Sequence, residues 1–276
     1  MVRWHLKMGL QRKEFWVGFV LFLAIAAASF LSHCHDMGFF GRHERLEMFA
    51  ASTVFVLHAS HHAHAILYVA IVPLVASVSI SDVHYLEERN KTESVLYTRV
   101  CKGNYLRSQA VACFLVGFLV AFVPLVINQI WACIGFPLNA PRPYTSSASS
   151  SASYASAAQN IILKDFYFSR PYAYNLLLSL WVAYYSAVCA LFSYAISFYI
   201  KKRLVINALL FLLLFVGMYL CYTFIPGDRS VLPIDFFIAG NDAAKMNALY
   251  ILALLCLLHV GAVLLISHGA RKRDTI

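Results

Sequence analysis

The chain has 276 residues, of which 61% are hydrophobic and 13% charged, and its formal net charge is +9. A mean hydropathy of +0.69 excludes an ordinary soluble domain, whose surface must be far more polar. The basic excess is expected to meet an anionic membrane surface; nothing in the chain asks for nucleic acid.

Six intervals carry no Asp, Glu, Lys or Arg: Glu14 to Asp36, Glu47 to Asp82, Arg107 to Arg142, Arg170 to Lys201, Arg203 to Asp228, and Lys245 to Arg271. A helix rising about 1.5 Å per residue needs roughly 20 apolar residues to cross ~30 Å of hydrocarbon, and each interval is long enough. The fold class predicted is all-α, a polytopic membrane protein with six transmembrane helices in one domain. The predicted spans are 15–34, 62–81, 109–135, 173–200, 204–225 and 247–267. Lys7, Arg12 and Lys13 before the first apolar run give it the look of a secretory signal. The run from Phe15 to Leu31 is nevertheless full length and five spans follow, so a retained first helix is expected.

Trp4 and four cations within residues 1–13 suit an interfacial anchor. Val2, Trp4, Leu6, Met8 and Leu10 alternate with period two, however, which leaves an interfacial helix and a short disordered basic tail both open. The loop cations set the orientation. Fifteen lie in the N-terminal segment, the loop 82–108, Lys201–Arg203 and Arg271–Arg273, against seven in the other loops. The positive-inside rule places both termini in the cytoplasm. The sequon Asn90-Lys91-Thr92 then faces the cytoplasm and stays unmodified. Seven cysteines without metal spacing read as small core residues.

Next in the chain is His58-Ala-Ser-His61-His62-Ala-His64. On a helix, His58, His61 and His62 share a face at i, i+3 and i+4, a spacing that suits Zn²⁺ or Cu²⁺. The string H-x-x-H-H is similar to one box of the membrane di-iron desaturases, which need several such boxes on the cytoplasmic side. One box on the outer side, with His33 and His35 forming no second, favours uncharged interfacial histidines over a metal centre or a pH-sensitive rim.

The loop 82–108 opens with Asp82, Glu87, Glu88 and Glu93 and closes with Arg99, Lys102 and Arg107. This order suits a helix macrodipole with Asp82 as N-cap, and Lys102-Gly103-Asn104 reads as a break before the third span. Val95, Leu96, Tyr97 and Val100 are too apolar for a plain linker and point to a membrane surface or a partner. Within the spans, Asn128, Gln129, Asn207 and His259 are candidates for a substrate path, against the alternative of ordinary hydrogen bonds between helices. Ser179, Ala183 and Ala187 form a small-residue ridge that either another span or a second subunit can meet. The Ser/Ala-rich stretch 145–158 reads as a mobile loop, 160–167 as a short membrane-surface helix, and VLPIDFFIAG as an apolar stretch too short to cross.

The block from Val72 to Asn128 resembles the membrane subunits of ABC-2 type transporters, nearest to those of bacterial bacteriocin- or antibiotic-export operons. The features that carry it are Pro73-Leu74 with small residues before Asp82, the pair Glu87-Glu88, Thr98-Arg99-Val100, Tyr105-Leu106, and a third span rich in Phe, Val and Leu with Pro124. A fainter echo runs from 173 to the span after Lys201-Lys202-Arg203. Ser94 stands where that family often has Gly, and Gln109 where it often has Lys.

The resemblance implies a permease subunit of an ATP-driven exporter in the bacterial cytoplasmic membrane, moving a peptide, antibiotic or lipid-like substrate. It implies a dimer of permease subunits, identical or not, each docked on a cytoplasmic ABC ATPase that uses ATP and Mg²⁺. Glu87, Glu88 and Arg89 would then form the coupling helix at the ATPase surface. The chain has no G-x-x-x-x-G-K-[ST] phosphate loop, so it is expected to be neither an enzyme nor the bearer of a cofactor. The alternative is a histidine-dependent membrane metalloenzyme or another non-ABC membrane protein.

Overall fold

The long helices coincide with the charge-free intervals, and the charged residues collect at their junctions. The computed structural model describes residues 1–36, 50–58, 62–90, 101–138, 163–224, 236–239 and 248–272. The helices in these residues are α1 (Val2–Gln11), α2 (Lys13–Asp36), α3 (His62–Ile80), α4 (Val83–Arg89), α5 (Lys102–Gly135), α6 (Lys164–Ser169), α7 (Pro171–Ile196), α8 (Arg203–Phe224) and α9 (Ala248–Lys272). Among the described residues, five segments are long and apolar enough to cross a membrane: Lys13–Asp36, Ala63–Arg89, Lys102–Gly135, Pro171–Ile196 and Leu252–Gly269. The remaining predicted span, 204–225, is occupied by α8, a further apolar helix of 22 residues.

Helix α7 is the axis of the bundle. It packs against α3, α5, α6, α8 and α9, and every residue from Tyr185 to Leu191 is buried. A helix buried all round must be apolar all round, and small residues let its neighbours come close. Gly117 of α5 is the tightest such approach. A Cβ there would lie 2.6 Å from the Ala190 Cβ and 3.2 Å from the Ala187 Cα, while Ser186 Oγ donates to the Gly117 carbonyl at 2.6 Å. The small-residue ridge thus meets α5 of the same chain through Ala187.

Helix α1 decides between the two readings of the N-terminus in favour of a helix. Val2, His5, Leu6, Gly9 and Leu10 form its inward stripe at i, i+3, i+4, i+7 and i+8, with Trp4 and Met8 exposed. The period-two alternation arose from counting apolar residues alone, whereas His5 and Gly9 are the two fully inward positions. Gly9 lets α1 lie close there: a Cβ would stand 2.6 Å from the Ile80 Cδ1 of α3 and 2.8 Å from the Val116 Cγ2 of α5, and both side chains would have to shift.

Prolines inside α3 (Pro73) and α5 (Pro124) each remove one backbone donor. Nearby hydroxyls engage carbonyls in the same turns: Ser77 Oγ donates to the Pro73 carbonyl at 2.6 Å and Tyr68 Oη to that of Ala121 at 2.8 Å. The break expected at Lys102-Gly103-Asn104 is instead the first turn of α5, with Cys101 as N-cap. At about 51 Å this 34-residue helix outreaches the hydrocarbon layer, so its first turns project beyond the apolar zone. Large apolar side chains on the outside of α2 (Trp16, Val17, Val20), α8 (Leu212, Leu213, Phe215) and α9 (Leu257, Val260, Leu264) form a lipid-facing surface.

Gly117→Val is expected to destabilise the protein by about 2–3 kcal/mol or more, because the added carbons meet backbone and not a movable side-chain tip. Gly103→Ala, with nothing within 4 Å of its Cβ, should stabilise by about 0.5–1 kcal/mol. Unfolding midpoints in SDS-containing mixed micelles measure both.

Candidate functional site

Polar side chains gather at the two ends of the bundle. At the end where α1 lies across α5, a closed ring of charges joins segments far apart in sequence. Asp82, fully buried in the two-residue turn between α3 and α4, forms an ion pair with Arg12 Nη2 at 2.7 Å and accepts Arg203 Nε at 2.6 Å. Arg203 Nη2 also reaches Glu14 Oε1 at 2.6 Å, and Arg12 Nε lies 3.6 Å from Glu14 Oε2. The ring therefore ties the α1–α2 joint, the α3–α4 turn and the start of α8 together. Asp82 occupies the expected N-cap position of α4, but its side chain makes no cap hydrogen bond. Two guanidinium groups hold the carboxylate more strongly than one backbone N–H would.

Helix α4 is fastened along its length. His84 stacks on Phe198 with ring centroids 4.1 Å apart, and Phe198 in turn lies against Gly269 of α9. Glu87 is buried; its two oxygens accept Tyr105 Oη at 2.8 Å and Gln109 Nε2 at 3.1 Å. Gln109 Oε1 then accepts Tyr194 Oη at 3.0 Å, extending the chain of hydrogen bonds to α7. Glu88 pairs with Lys201 at 3.3 Å, and Arg89 is exposed. Of the three residues expected at a partner surface, Glu87 is thus turned into the bundle while Glu88 and Arg89 remain near its surface. Between α1, α4 and α5 lies a cavity of about 560 Å³ with Ile80, Val83 and Leu86 among its apolar walls. His5 lines it and is only 4% exposed, and burial, with the N-terminal ammonium adding to it, depresses the imidazole pKa to about 4.

At the opposite end, residues 50–58 form turns and yet are almost wholly buried. Non-helical backbone inside an apolar bundle must find partners within the protein. Asn128 accepts the Val56 N–H at 2.9 Å and donates to the Ala26 carbonyl at 3.0 Å. Gln129 donates to the Ala51 carbonyl at 3.3 Å. Asn175 donates to Ser52 O at 2.8 Å and to Gln129 Oε1 at 2.7 Å, and its own Oδ1 is 2.9 Å from His58 Nε2. Ala239 N–H reaches the Leu57 carbonyl at 2.8 Å, which forms an isolated parallel bridge with His58. The apolar stretch too short to cross thus inserts Phe236–Ala239 into the bundle, with Phe237 fully buried against Tyr185.

Asn128 and Gln129 therefore come together with Asn175 and His58 around a backbone segment, while His259 stands apart against Tyr184 and Phe114 on the side of α9. Asn207 accepts Ser81 Oγ at 3.2 Å beside the charge ring. Asn175 escaped the sequence reading although it is a polar residue one turn inside an apolar helix. His61 and the side chain of His62 lie outside the described residues, as do 91–100, 145–158 and 226–235. Among the described residues, no three His, Cys, Asp or Glu side chains come together as metal ligands.

The fold defines an all-α polytopic membrane protein. No protein-family model matches the chain, and no curated protein matches it either.

Asp82→Asn should destabilise by about 3 kcal/mol, since it leaves two guanidinium groups facing only Glu14. Glu88→Gln, losing an exposed pair with Lys201, should cost less than about 1 kcal/mol. His5 adds a pH signature. Its folded pKa lies below the unfolded 6.5, so the unfolded state binds more protons between the two values and stability rises with pH there. Melting temperature should fall as pH drops from 6.5 to 4, and His5→Leu should remove that part of the slope.

Proposed function

We propose that the chain is the membrane-spanning permease subunit of an ATP-driven exporter, with α4 as the element that receives motion from a cytoplasmic ATPase. The single observation supporting this most is how α4 is held. From Asp82 to Glu88, four side chains fasten it to the α1–α2 joint and α8 (Asp82), α5 (Glu87) and the segment after α7 (His84 and Glu88). A loosely tethered loop would absorb a push, whereas a helix fixed to four parts of the bundle passes it on. In this reading both termini and α4 face the cytoplasm, in keeping with fifteen cations on that side against seven on the other.

The role of each coupling residue differs. Glu88 and Arg89 present charge to the ATPase, and Glu87 carries the displacement inward through Tyr105, Gln109 and Tyr194. The chain supplies no phosphate loop, so ATP and Mg²⁺ bind to the partner. A second permease subunit, identical or not, completes the pathway, and the substrate is a peptide, an antibiotic or a lipid-like molecule.

Co-purification from the native membrane tests this. A tagged chain should bring down an ABC-type ATPase identified by mass spectrometry. Glu88→Lys combined with Arg89→Glu should reduce its recovery at least 30-fold, in line with ~2–5 kcal/mol for misplaced charge at a docking surface. Lys13→Glu at the same end serves as control and should leave recovery unchanged. No ATPase with the unaltered chain, or equal recovery with the double variant, would refute the coupling role of α4.

A further inference from the structure

At the end of the bundle where α1 lies, the described carboxylates are all engaged. Glu14 and Asp82 face Arg12 and Arg203, Glu87 accepts from Tyr105 and Gln109, and Glu88 pairs with Lys201. Arg3, Lys7 and Lys13 are exposed, and among the described residues their side chains have no partner. Helix α1 contains no Asp or Glu, and the N-terminal ammonium, whose charge adds to burial in depressing the His5 pKa, is a further cation. Nothing described at this corner balances that positive charge.

The uncompensated cations adjoin the lipid-facing surface. Arg3 and Lys7 are neighbours at i and i+4, and beside them Trp4 and Met8, spaced alike, are both more than 40% exposed. Gly9 rests on Ile80, the last residue of α3, which sets α1 at the level where that span ends. Cations mixed with Trp at that level suit the headgroup region. After the extended Arg12, Lys13 heads an exposed stripe of α2: Lys13, Trp16, Val17, Val20 and Leu21 lie at i, i+3, i+4, i+7 and i+8. A soluble partner could neutralise the cations, but the stripe below Lys13 belongs to hydrocarbon and lies outside its reach. A phospholipid answers both. A phosphatidylcholine headgroup brings its own cation, so the unbalanced charge selects a headgroup of net negative charge. We propose that the outward side of α1 and Lys13 form a binding site for an anionic phospholipid, its phosphate on Arg3, Lys7 and Lys13 and its acyl chains along Trp16, Val17 and Val20. The site is independent of what the chain transports and of the role of α4.

The full chain in phosphatidylcholine nanodiscs tests this, with Trp4, Trp131 and Trp181 changed to Phe so that Trp16 is the sole fluorophore. Phosphatidylglycerol brominated near the headgroup end of its acyl chains should half-quench Trp16 at a mole fraction roughly ten-fold or more below that of phosphatidylcholine brominated at the same carbons. Lys7→Gln should raise that mole fraction about five-fold, the effect of one cation beside an anionic headgroup. Arg107→Gln removes the same charge from an exposed position on the side of α5 turned away from the buried Tyr105 and Gln109, and should change it less than about two-fold. Arg3→Gln, Lys7→Gln and Lys13→Gln together should make the two lipids quench equally without lowering the melting temperature. Equal quenching by the two lipids in the chain with Arg3, Lys7 and Lys13 intact overturns the proposal and leaves these cations to a soluble partner. A preference that survives the triple change overturns it too, as does an Arg107→Gln effect as large as that of Lys7→Gln, which would reduce the site to the diffuse field of the whole basic end. Loss of the preference in millimolar inorganic phosphate would make this a site for free phosphate and likewise overturn it.

Discussion

Inside hydrocarbon, every backbone amide and every charge must find its partner within the protein, and this constraint accounts for most of what the chain does. It explains why the charge-free intervals become helices, whose hydrogen bonds are all internal. It also explains why the amide side chains that enter the bundle are so fully committed. Asn128, Gln129 and Asn175 are not scattered imperfections; between them they serve Val56, Ala51, Ser52 and His58, the part of the interior where the backbone is not helical. Without those three amides, the segment 50–58 would have to leave the bundle and the seat of Phe237 would open with it.

At the other end the same constraint takes an electrostatic form. Burying Asp82 alone would be prohibitive, and two guanidinium groups make it tolerable. Those groups come from residues 12 and 203, so the requirement of one carboxylate draws together three joints of the bundle. Helix α4 inherits its rigidity from this arrangement, and the proposed coupling role follows from that rigidity more than from the charges α4 displays.

How much of this was legible beforehand depended on the range of the signal. The spans were readable because the absence of charge over 20 residues is a local and strong signal; 173–200 became Pro171–Ile196 and 15–34 became Lys13–Asp36. The face of α1 was concealed because its two most inward positions, His5 and Gly9, do not count as apolar, and only the contacts with Ile80 and Val116 explain Gly9. The partners of Asp82 were concealed because they lie 70 and 121 residues away in the chain; from local sequence a helix cap was the natural reading. The polar span residues were recognised as special, but their purpose required knowing that 50–58 folds back into the bundle, and nothing in AASTVFVLH separates that from the first turns of a span. Glu87 and Glu88 look alike in sequence, yet successive positions on a helix point about 100° apart, so one faces Tyr105 and the other Lys201.

Intramembrane amides hold the non-helical segment 50–58 in the interior. Hydrogen–deuterium exchange of the full chain in nanodiscs, read by mass spectrometry on peptides covering 50–58, addresses this directly. Protection of that segment comparable to the cores of α5 and α7, lost by at least ten-fold in Asn128→Leu while those helix cores stay protected, is the predicted result. Exchange of 50–58 in the unaltered chain as fast as an exposed loop would contradict it.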